Sequence, residues 1–297
     1  MNELRKDYLL DRWVIIAKGR GKRPQHFVQK PHKVEEKLCF FCPGNESSTP
    51  PEIARVDEKG KWIIRTFPNK FPATDWHEVI VETPNHGKHL GDLSVGHIAK
   101  VLGMYSERQR AIEKNSKVEY VSIFKNSGEM GGASLPHSHT QLIGLRMVPP
   151  LIKKETGASK GDCPFCRTWK DEVKSDRLVY EDEYTAAFAP FASRFPFEAW
   201  VMPKRHVGAL DEMDKKETDS FAGALKKILS ALNSSLNYPP YNFVIHHAPE
   251  GKDLHLHLEL LPRLSRFAGF EFDTEIVINT MPPEVAAEHY RGEIDGK

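Results

Sequence analysis

Cys39-Phe40-Phe41-Cys42 returns 124 positions later as Cys163-Pro164-Phe165-Cys166, and these two turns hold all four cysteines of the 297-residue chain. A Cys-x-x-Cys turn places two thiolates close enough to share one metal ion. A single such turn also suits redox chemistry, where it follows a strand in a short βαβ context; neither copy clearly has that context. Two copies, each with an embedded Phe and a nearby Pro, read as one structural element present twice.

The surroundings repeat as well. Forty-four residues after Cys42 comes His86, in Pro84-Asn85-His86, and forty after Cys166 comes His206, in Pro203-Lys204-Arg205-His206. Short apolar stretches precede them, Glu78–Glu82 and Ala199–Met202. Helical periodicity follows each. From about Asp92 it puts Leu93, Val101, Leu102, Tyr105 and Ile112 near one stripe, and from about Asp219 it does the same with Phe221, Leu225, Ile228, Leu229, Leu232 and Leu236. The next strands are expected at Glu119–Lys125 and Tyr241–His246. Each unit ends in His-x-His: His137-Ser138-His139, 51 residues after His86, and His255-Leu256-His257, 49 residues after His206. Two copies offset by roughly 120 residues indicate a duplication rather than a solenoid. The halves are expected to be 1–150 and 151–297, joined by a polar, linker-like stretch from Pro149 to Lys160, with Arg263 to Lys297 extending beyond the repeat.

Each half therefore offers a tetrahedral donor set of the kind that structural zinc takes. The first set is Cys39, Cys42, His86 and His137; the second is Cys163, Cys166, His206 and His255. His246, His247 and His257 compete with His255 for the last place. Any one of these histidines alone is more simply a core or surface residue. Eight ligand types repeated in register favour two zinc sites, with iron as an alternative ion in one.

If His137 holds metal, His139 is left over. On an extended segment His139 and Gln141 point to one side. Just upstream lies Asn126-Ser127-Gly128-Glu129-Met130-Gly131-Gly132-Ala133-Ser134, whose glycines let backbone approach an anion closely. Alone it is a flexible loop; leading directly into His-Ser-His-Thr-Gln, it suggests phosphate chemistry. A neutral imidazole can attack phosphorus, and the Gln141 amide can bond a phosphoryl oxygen without taking a proton. The second half has Glu259 where the first has Gln141, and no comparable loop, so it reads as a structural copy. The basic run Lys18-Gly19-Arg20-Gly21-Lys22-Arg23-Pro24 divides evenly between a solvated loop and a phosphate-covering one.

Composition sets the outer limits. Lys and Arg number 42 against 41 Asp and Glu, a net charge of +1 that argues against a polyanion-coating protein such as a non-specific nucleic-acid binder. Hydrophobic residues at 39% can bury a sizeable core. No apolar run is long enough for a membrane helix, and the charged N-terminal stretch lacks the apolar centre of a signal peptide. The expected compartment is the cytoplasm, where four cysteines are not a disulfide framework.

With these residues in place, the chain resembles the galactose-1-phosphate uridylyltransferase family of the histidine triad superfamily over almost its whole length. The strongest segment is Gly132 through Gln141, similar to the family's G-x-S-x-P-H-P-H-x-Q; Ala17–Pro24, Thr66–Phe71, Thr83–Leu93, Phe124–Gly128, Phe195–Val207 and His255–Pro262 add to it. The resemblance implies an α+β fold of two related histidine-triad-like halves, each an antiparallel half-barrel sheet with flanking helices, paired as a homodimer. It implies a ping-pong nucleotidyltransferase acting on a nucleotide sugar and a hexose 1-phosphate, with His139 as nucleophile. Gln141 and Ser134 would assist at the phosphoryl group. Arg20, Arg23, Asn69, Asn126, Gly128 and Gly132 would contact nucleotide or phosphate, and Glu271 would supply the carboxylate of a hexose-recognition strand.

The match has departures. Ser138 stands where the family more often has Pro. The glutamine expected downstream of Glu271 has no clear counterpart around Ile276–Ile278. Asn279 with Pro282-Pro283-Glu284 resembles other branches, ADP-glucose phosphorylases among them. Rival readings are a dinucleoside polyphosphate hydrolase or phosphorylase and a zinc-binding module without catalysis.

Overall fold

A computed structural model describes residues 3–17, 39–158 and 162–296. Its strands are β1 (Glu3–Lys6), β2 (Trp13–Ile16), β3 (Ala54–Glu58), β4 (Lys61–Pro68), β5 (His77–Val81), β6 (Tyr120–Ser127), β7 (His139–Leu145), β8 (Leu178–Glu181), β9 (Thr185–Phe188), β10 (Ala199–Pro203), β11 (Tyr241–His246), β12 (His257–Pro262) and β13 (Val277–Asn279). The helices are α1 (Val95–Glu113), α2 (Pro150–Ala158), α3 (Pro164–Glu172), α4 (Lys215–Leu236), α5 (Gly269–Thr274) and α6 (Pro283–Asp295). This is an α+β fold.

Ten strands form one sheet in the order β3-β4-β5-β7-β6-β11-β12-β10-β9-β8, and every adjacent pair in it is antiparallel. The order is symmetric about the β6–β11 seam, where Phe243 faces Lys125 and Asn242 faces Asn126. Outward from that seam, β7 corresponds to β12, β5 to β10, β4 to β9 and β3 to β8. The duplicated motif in the sequence thus reappears as strand order.

Burial explains the layers. The apolar stripes of α1 (Ile98, Val101, Leu102, Tyr105, Ile112) and α4 (Phe221, Leu225, Ile228, Leu229, Leu232, Leu236) enter one core with Ile80, Ile123, Leu142, Ile245, Leu258 and Leu260 of the sheet. That core runs across the seam, so the two long helices share one sheet face. Ser94 and Asp214 cap these helices, their side chains accepting from the His97 and Glu217 backbone N–H groups. The opposite face carries smaller clusters, one around Cys39, Phe41, Trp62, Phe67, Val79 and Val81, another around Phe165, Phe188 and Trp200. A separate sheet, β1-β2-β13, joins the two ends of the described chain.

Two local expectations are corrected. The stretch from Pro149 to Lys160, expected as a linker, contains α2. Pro150 opens that helix, where proline's missing N–H costs nothing, and it buries Ile152 and Glu155. The segment around Glu271, expected as a strand, is the short helix α5, whose Glu271 carboxylate accepts from the Ala268 N–H at 2.9 Å and the Ile278 N–H at 3.3 Å. A carboxylate engaged with two backbone donors favours the helix start over an extended segment.

Candidate active site and metal clusters

The first metal-capable cluster lies beside the start of β7. Donor atoms of Cys39, Cys42, His86 and His137 all fall within 4.8 Å of one another. His137 Nδ1 is 3.5 Å from both sulfurs, and His86 Nδ1 is 3.3 Å from Cys42 Sγ. A tetrahedral zinc with ordinary Zn–S and Zn–N lengths has S···N edges of about 3.6 Å, so the set fits such an ion. The ring of His137 is fixed from behind: its Nε2–H donates to the Thr83 carbonyl at 2.7 Å, the outer bond usual for a ligating histidine.

The second cluster repeats this arrangement. Cys163, Cys166, His206 and His255 converge within the same 4.8 Å. Cys166 Sγ lies 3.5 Å from His206 Nδ1 and 3.4 Å from His255 Nδ1, while His255 Nε2–H donates to the Pro203 carbonyl at 2.8 Å. Burial pulls His255 down to about 3, which keeps its ring in the neutral, ligating form. The geometry thus places His255 with the cysteines rather than His246 or His257.

Those two histidines enter a third group that sequence reasoning missed. Glu155, His246, His257 and Glu259 are all buried, with donor atoms within 4.8 Å. Glu155 Oε2 and His246 Nδ1 form an ion pair at 3.0 Å, and His257 Nε2 has no hydrogen-bond partner among the described residues. These four side chains form a group that could hold a cation. Its carboxylate and imidazole donors are harder than those of the cysteine sites. The missing signal was Glu155, which lay in the stretch read as linker.

His139 follows the first cluster directly. Its Nδ1–H donates to the His137 carbonyl at 2.8 Å, which leaves the lone pair on Nε2. Burial first, and then the charge of Lys125, push its pKa down to about 4. The ring is therefore neutral at pH 7 and able to act as a nucleophile. Phe41 meets it edge-on, with ring centroids 5.3 Å apart.

A buried polar network braces the backbone here. Lys125 Nζ donates to the His139 carbonyl at 2.9 Å, to Ser138 Oγ at 3.0 Å and to the Glu82 carboxylate. Glu82, fully enclosed, also accepts from Ser138, from Tyr105 and from Thr140, the last at 2.6 Å. Coulombic attraction to Lys125 and these hydrogen bonds outweigh burial and hold the Glu82 carboxyl below its usual range. Lys125 and Glu82 are 43 positions apart, and their contact is a product of strand register that no local motif announces.

The remaining expected residues lie on several elements. Gln141 lies two positions along β7 on the same face, half-buried, with Asn69 Nδ2 3.5 Å from its Oε1. Gly128 and Gly132 adopt φ of +73° and +81°, which glycine enters without strain. At Gly131 a Cβ would stand 2.8 Å from the Tyr241 carbonyl oxygen. The loop is anchored across the seam by Asn242, whose amide donates to Asn126 Oδ1 at 2.9 Å and to the Gly131 carbonyl at 2.6 Å. Ser134 is exposed. Asn279 is buried and donates to the Ser193 carbonyl at 2.8 Å, while Glu284 accepts from Arg5 at 2.9 Å and Arg177 at 3.2 Å, so both sit in structural contacts. Arg20 and Arg23 lie outside the described residues.

A neutral imidazole, an amide and a glycine loop against a two-Cys, two-His clamp define a nucleotidyl-transfer type of site, and comparison with known proteins agrees. A model named "Domain of unknown function (DUF4921)" matches residues 88–293, and the N-terminal domain model of DUF4931 matches residues 24–148. The chain is 33% identical to the ADP-glucose phosphorylase of Arabidopsis thaliana, over 97% of this chain and 92% of that one. It is 32% identical to the galactose-1-phosphate uridylyltransferase of Thermotoga maritima, over 98% of both. The crystal structure of the Arabidopsis ADP-glucose phosphorylase with bound ADP-glucose superposes with a TM-score of 0.85 at 32% identity, covering 98% of this chain and 99% of that one. A uridylyltransferase structure gives 0.75 at 30%, covering 100% and 99%. The chain belongs to the galactose-1-phosphate uridylyltransferase family, and it is a nucleotidyltransferase of that family. Among the described residues no helix is long and apolar enough to cross a membrane.

Proposed function

We propose that the chain transfers a nucleoside monophosphoryl group from a nucleotide sugar to a phosphate-bearing acceptor through a covalent nucleotidyl-His139. The observation that carries this is the tautomer of His139: Nδ1–H is committed to the His137 carbonyl, and Nε2 is the nucleophile. Nε2 attacks the α-phosphorus, an N–P bond forms, and the bond to the bridging oxygen breaks. Hexose 1-phosphate leaves with that electron pair. An acceptor phosphate oxygen then attacks the same phosphorus and releases the histidine. The His137 carbonyl stabilises the charge that the ring gains in the adduct. The Gln141 amide, Ser134 and the N–H groups around Gly128 and Gly132 serve the phosphoryl oxygens, joined by Arg20 and Arg23, while Asn69 and Asn126 contact the nucleotide.

Residues 1–150 form the half that carries the chemistry and 151–297 the half that braces it, with the chain acting as a homodimer. Zinc in the two cysteine clusters is structural, since four protein ligands leave no open position for substrate; iron is the alternative ion in one.

The sequence resemblance supports uridylyl transfer between UDP-glucose and a hexose 1-phosphate. Two observations favour a second reading, adenylyl transfer from ADP-glucose to inorganic phosphate. The ADP-glucose-bound structure superposes better than the uridylyltransferase, 0.85 against 0.75. Glu271, the expected hexose carboxylate, is engaged with backbone N–H groups at 2.9 and 3.3 Å. Intact-mass measurement after incubation with UDP-glucose and, separately, ADP-glucose tests both, because the added mass identifies the nucleotide. Adding galactose 1-phosphate or inorganic phosphate then shows which acceptor discharges it. No adduct with either sugar nucleotide would sink the proposal.

A further inference from the structure

His77 opens β5, two positions before Val79, which pairs with Gln141 across the sheet, so His77 and Gln141 share a face. Its ring is tied at both nitrogens. Nδ1 accepts from the Ala73 backbone N–H at 3.0 Å, so the one proton of the neutral ring sits on Nε2. That Nε2–H is aimed at Gln141 Oε1, 2.8 Å away. Asn69 points its amide nitrogen at the same oxygen from 3.5 Å, its own Oδ1 being held by the Phe71 N–H at 2.9 Å. Two donors, 3.1 Å apart, thus converge on one carbonyl oxygen. With that oxygen claimed, the Gln141 –NH2 has only one side left to face, and no partner for it occurs among the described residues.

We infer that His77 is a positioning residue: it locks the Gln141 amide so that its N–H, and not its C=O, is presented to the transferring phosphoryl group. The inference rests on the nucleotidyl-transfer reading above. The physical need is plain. An amide rotated by half a turn would set a carbonyl dipole against phosphoryl oxygens that gain charge in the transition state, turning a stabilising contact into a repulsive one. A glutamine terminus rotates freely unless something holds it. Backbone N–H of Ala73, imidazole and amide form a relay that carries the orientation of a main-chain group to the reacting centre, as outer hydrogen bonds fix catalytic groups elsewhere.

Two substitutions separate the two ends of the ring. In His77→Asn, Oδ1 can still accept from Ala73, but the donor to Gln141 is gone. In His77→Gln, the side-chain amide reaches the Nε2 position and restores a donor. The measurement is the rate of His139 adduct formation at saturating nucleotide sugar, together with its half-saturation concentration. His77→Asn should slow the step about tenfold to a hundredfold while half-saturation stays within a few-fold, and His77→Gln should recover most of the rate. In a Gln141→Ala background, His77→Asn should have no further effect. A His77→Asn rate equal to wild type, a folded His77→Gln as slow as His77→Asn, or an equal loss with and without Gln141 would each overturn the inference. In those cases the wild-type adduct still upholds the proposed function. A wild-type chain that forms no adduct removes both.

Discussion

His139 and His257 occupy matching positions of the ten-stranded sheet and are held alike, yet their second nitrogens meet different surroundings. Each follows a cluster histidine by two residues and donates Nδ1–H to that histidine's carbonyl at 2.8 Å. Phe41 and Phe165, each the third residue of its Cys-x-x-Cys turn, lie beside the two rings. Phe41 meets His139 edge-on at 71°, whereas Phe165 lies flatter over His257, at 31° with centroids 4.5 Å apart. Val79 pairs with Gln141 in the first half; at the same place in the second, Trp200 pairs with Glu259 and sits 5.4 Å from the His257 ring. Glu259 is an ion-pair partner of Arg194. His257 is wholly buried and its Nε2 has no partner among the described residues, while His139 keeps a small exposed surface. The difference supports the proposed division of labour, in which the metal-capable clamp and the His-x-His turn are scaffold and the chemistry draws on an opening, a loop and an amide besides.

The sharpest break of this comparison is at the two rings themselves. His139→Asn should remove the adduct and lower turnover by about four orders of magnitude or more, whereas His257→Asn should still form the adduct. Intact mass and steady-state turnover read this directly. An adduct surviving in His139→Asn would mean that the halves have been assigned the wrong way round.

Next come the clamps. Cys39→Ser and Cys163→Ser should each lower bound metal by one ion per chain, read by elemental analysis. Transfer should fall steeply in Cys39→Ser, because His137 of that cluster also supplies the carbonyl that orients His139. The Cys163→Ser chain should lose thermal stability first. Equal metal loss with equal activity loss would show that the second clamp supports the chemistry as closely as the first.

A third contrast lies beneath the two turns. Under His139 sits the ion pair of Lys125 and Glu82, 2% and 0% exposed. In the second half, Leu256 and Leu258 enter the apolar core at the positions matching Ser138 and Thr140. Glu82→Gln would leave Lys125 charged and buried without its counter-ion, which costs about 3–5 kcal/mol. Denaturant unfolding should show that loss. Converting both partners to apolar residues should cost less than either single change.

What was legible in the chain follows from what each feature depends on. Metal ligation demands particular side chains, so Cys39, Cys42, His86 and His137 and their counterparts could be read off in order. The stripes of α1 and α4 were readable because their period is that of the helix. The sheet's role was not. Lys125 with Glu82, His77 with Gln141, and Trp200 over His257 are neighbours only through strand register, and residues far apart in sequence carry no local sign of it. Glu155 was hidden for a different reason: α2 is polar on most of its surface, and its composition resembles a linker more than a packed helix. Glu271 misled because a short match to a family strand carries no account of which backbone N–H groups the carboxylate will meet.

The smallest effect should come from Ser138, and it tests whether the polar network or its ion pair does the holding. Ser138 stands between the two histidines as Leu256 does in the other half. Its hydroxyl donates to Glu82 and accepts from Lys125 at 3.0 Å. In Ser138→Ala, Glu82 keeps Tyr105, Thr140 and Lys125, and Lys125 keeps the His139 carbonyl. No charge is left bare, so the cost should be about 1–2 kcal/mol in unfolding free energy, with adduct formation within a few-fold of wild type. A loss as large as that of Glu82→Gln would show that the hydroxyl, and not the ion pair, sets the path of the backbone into His139. The first half's departure from an apolar brace would then hang on one serine.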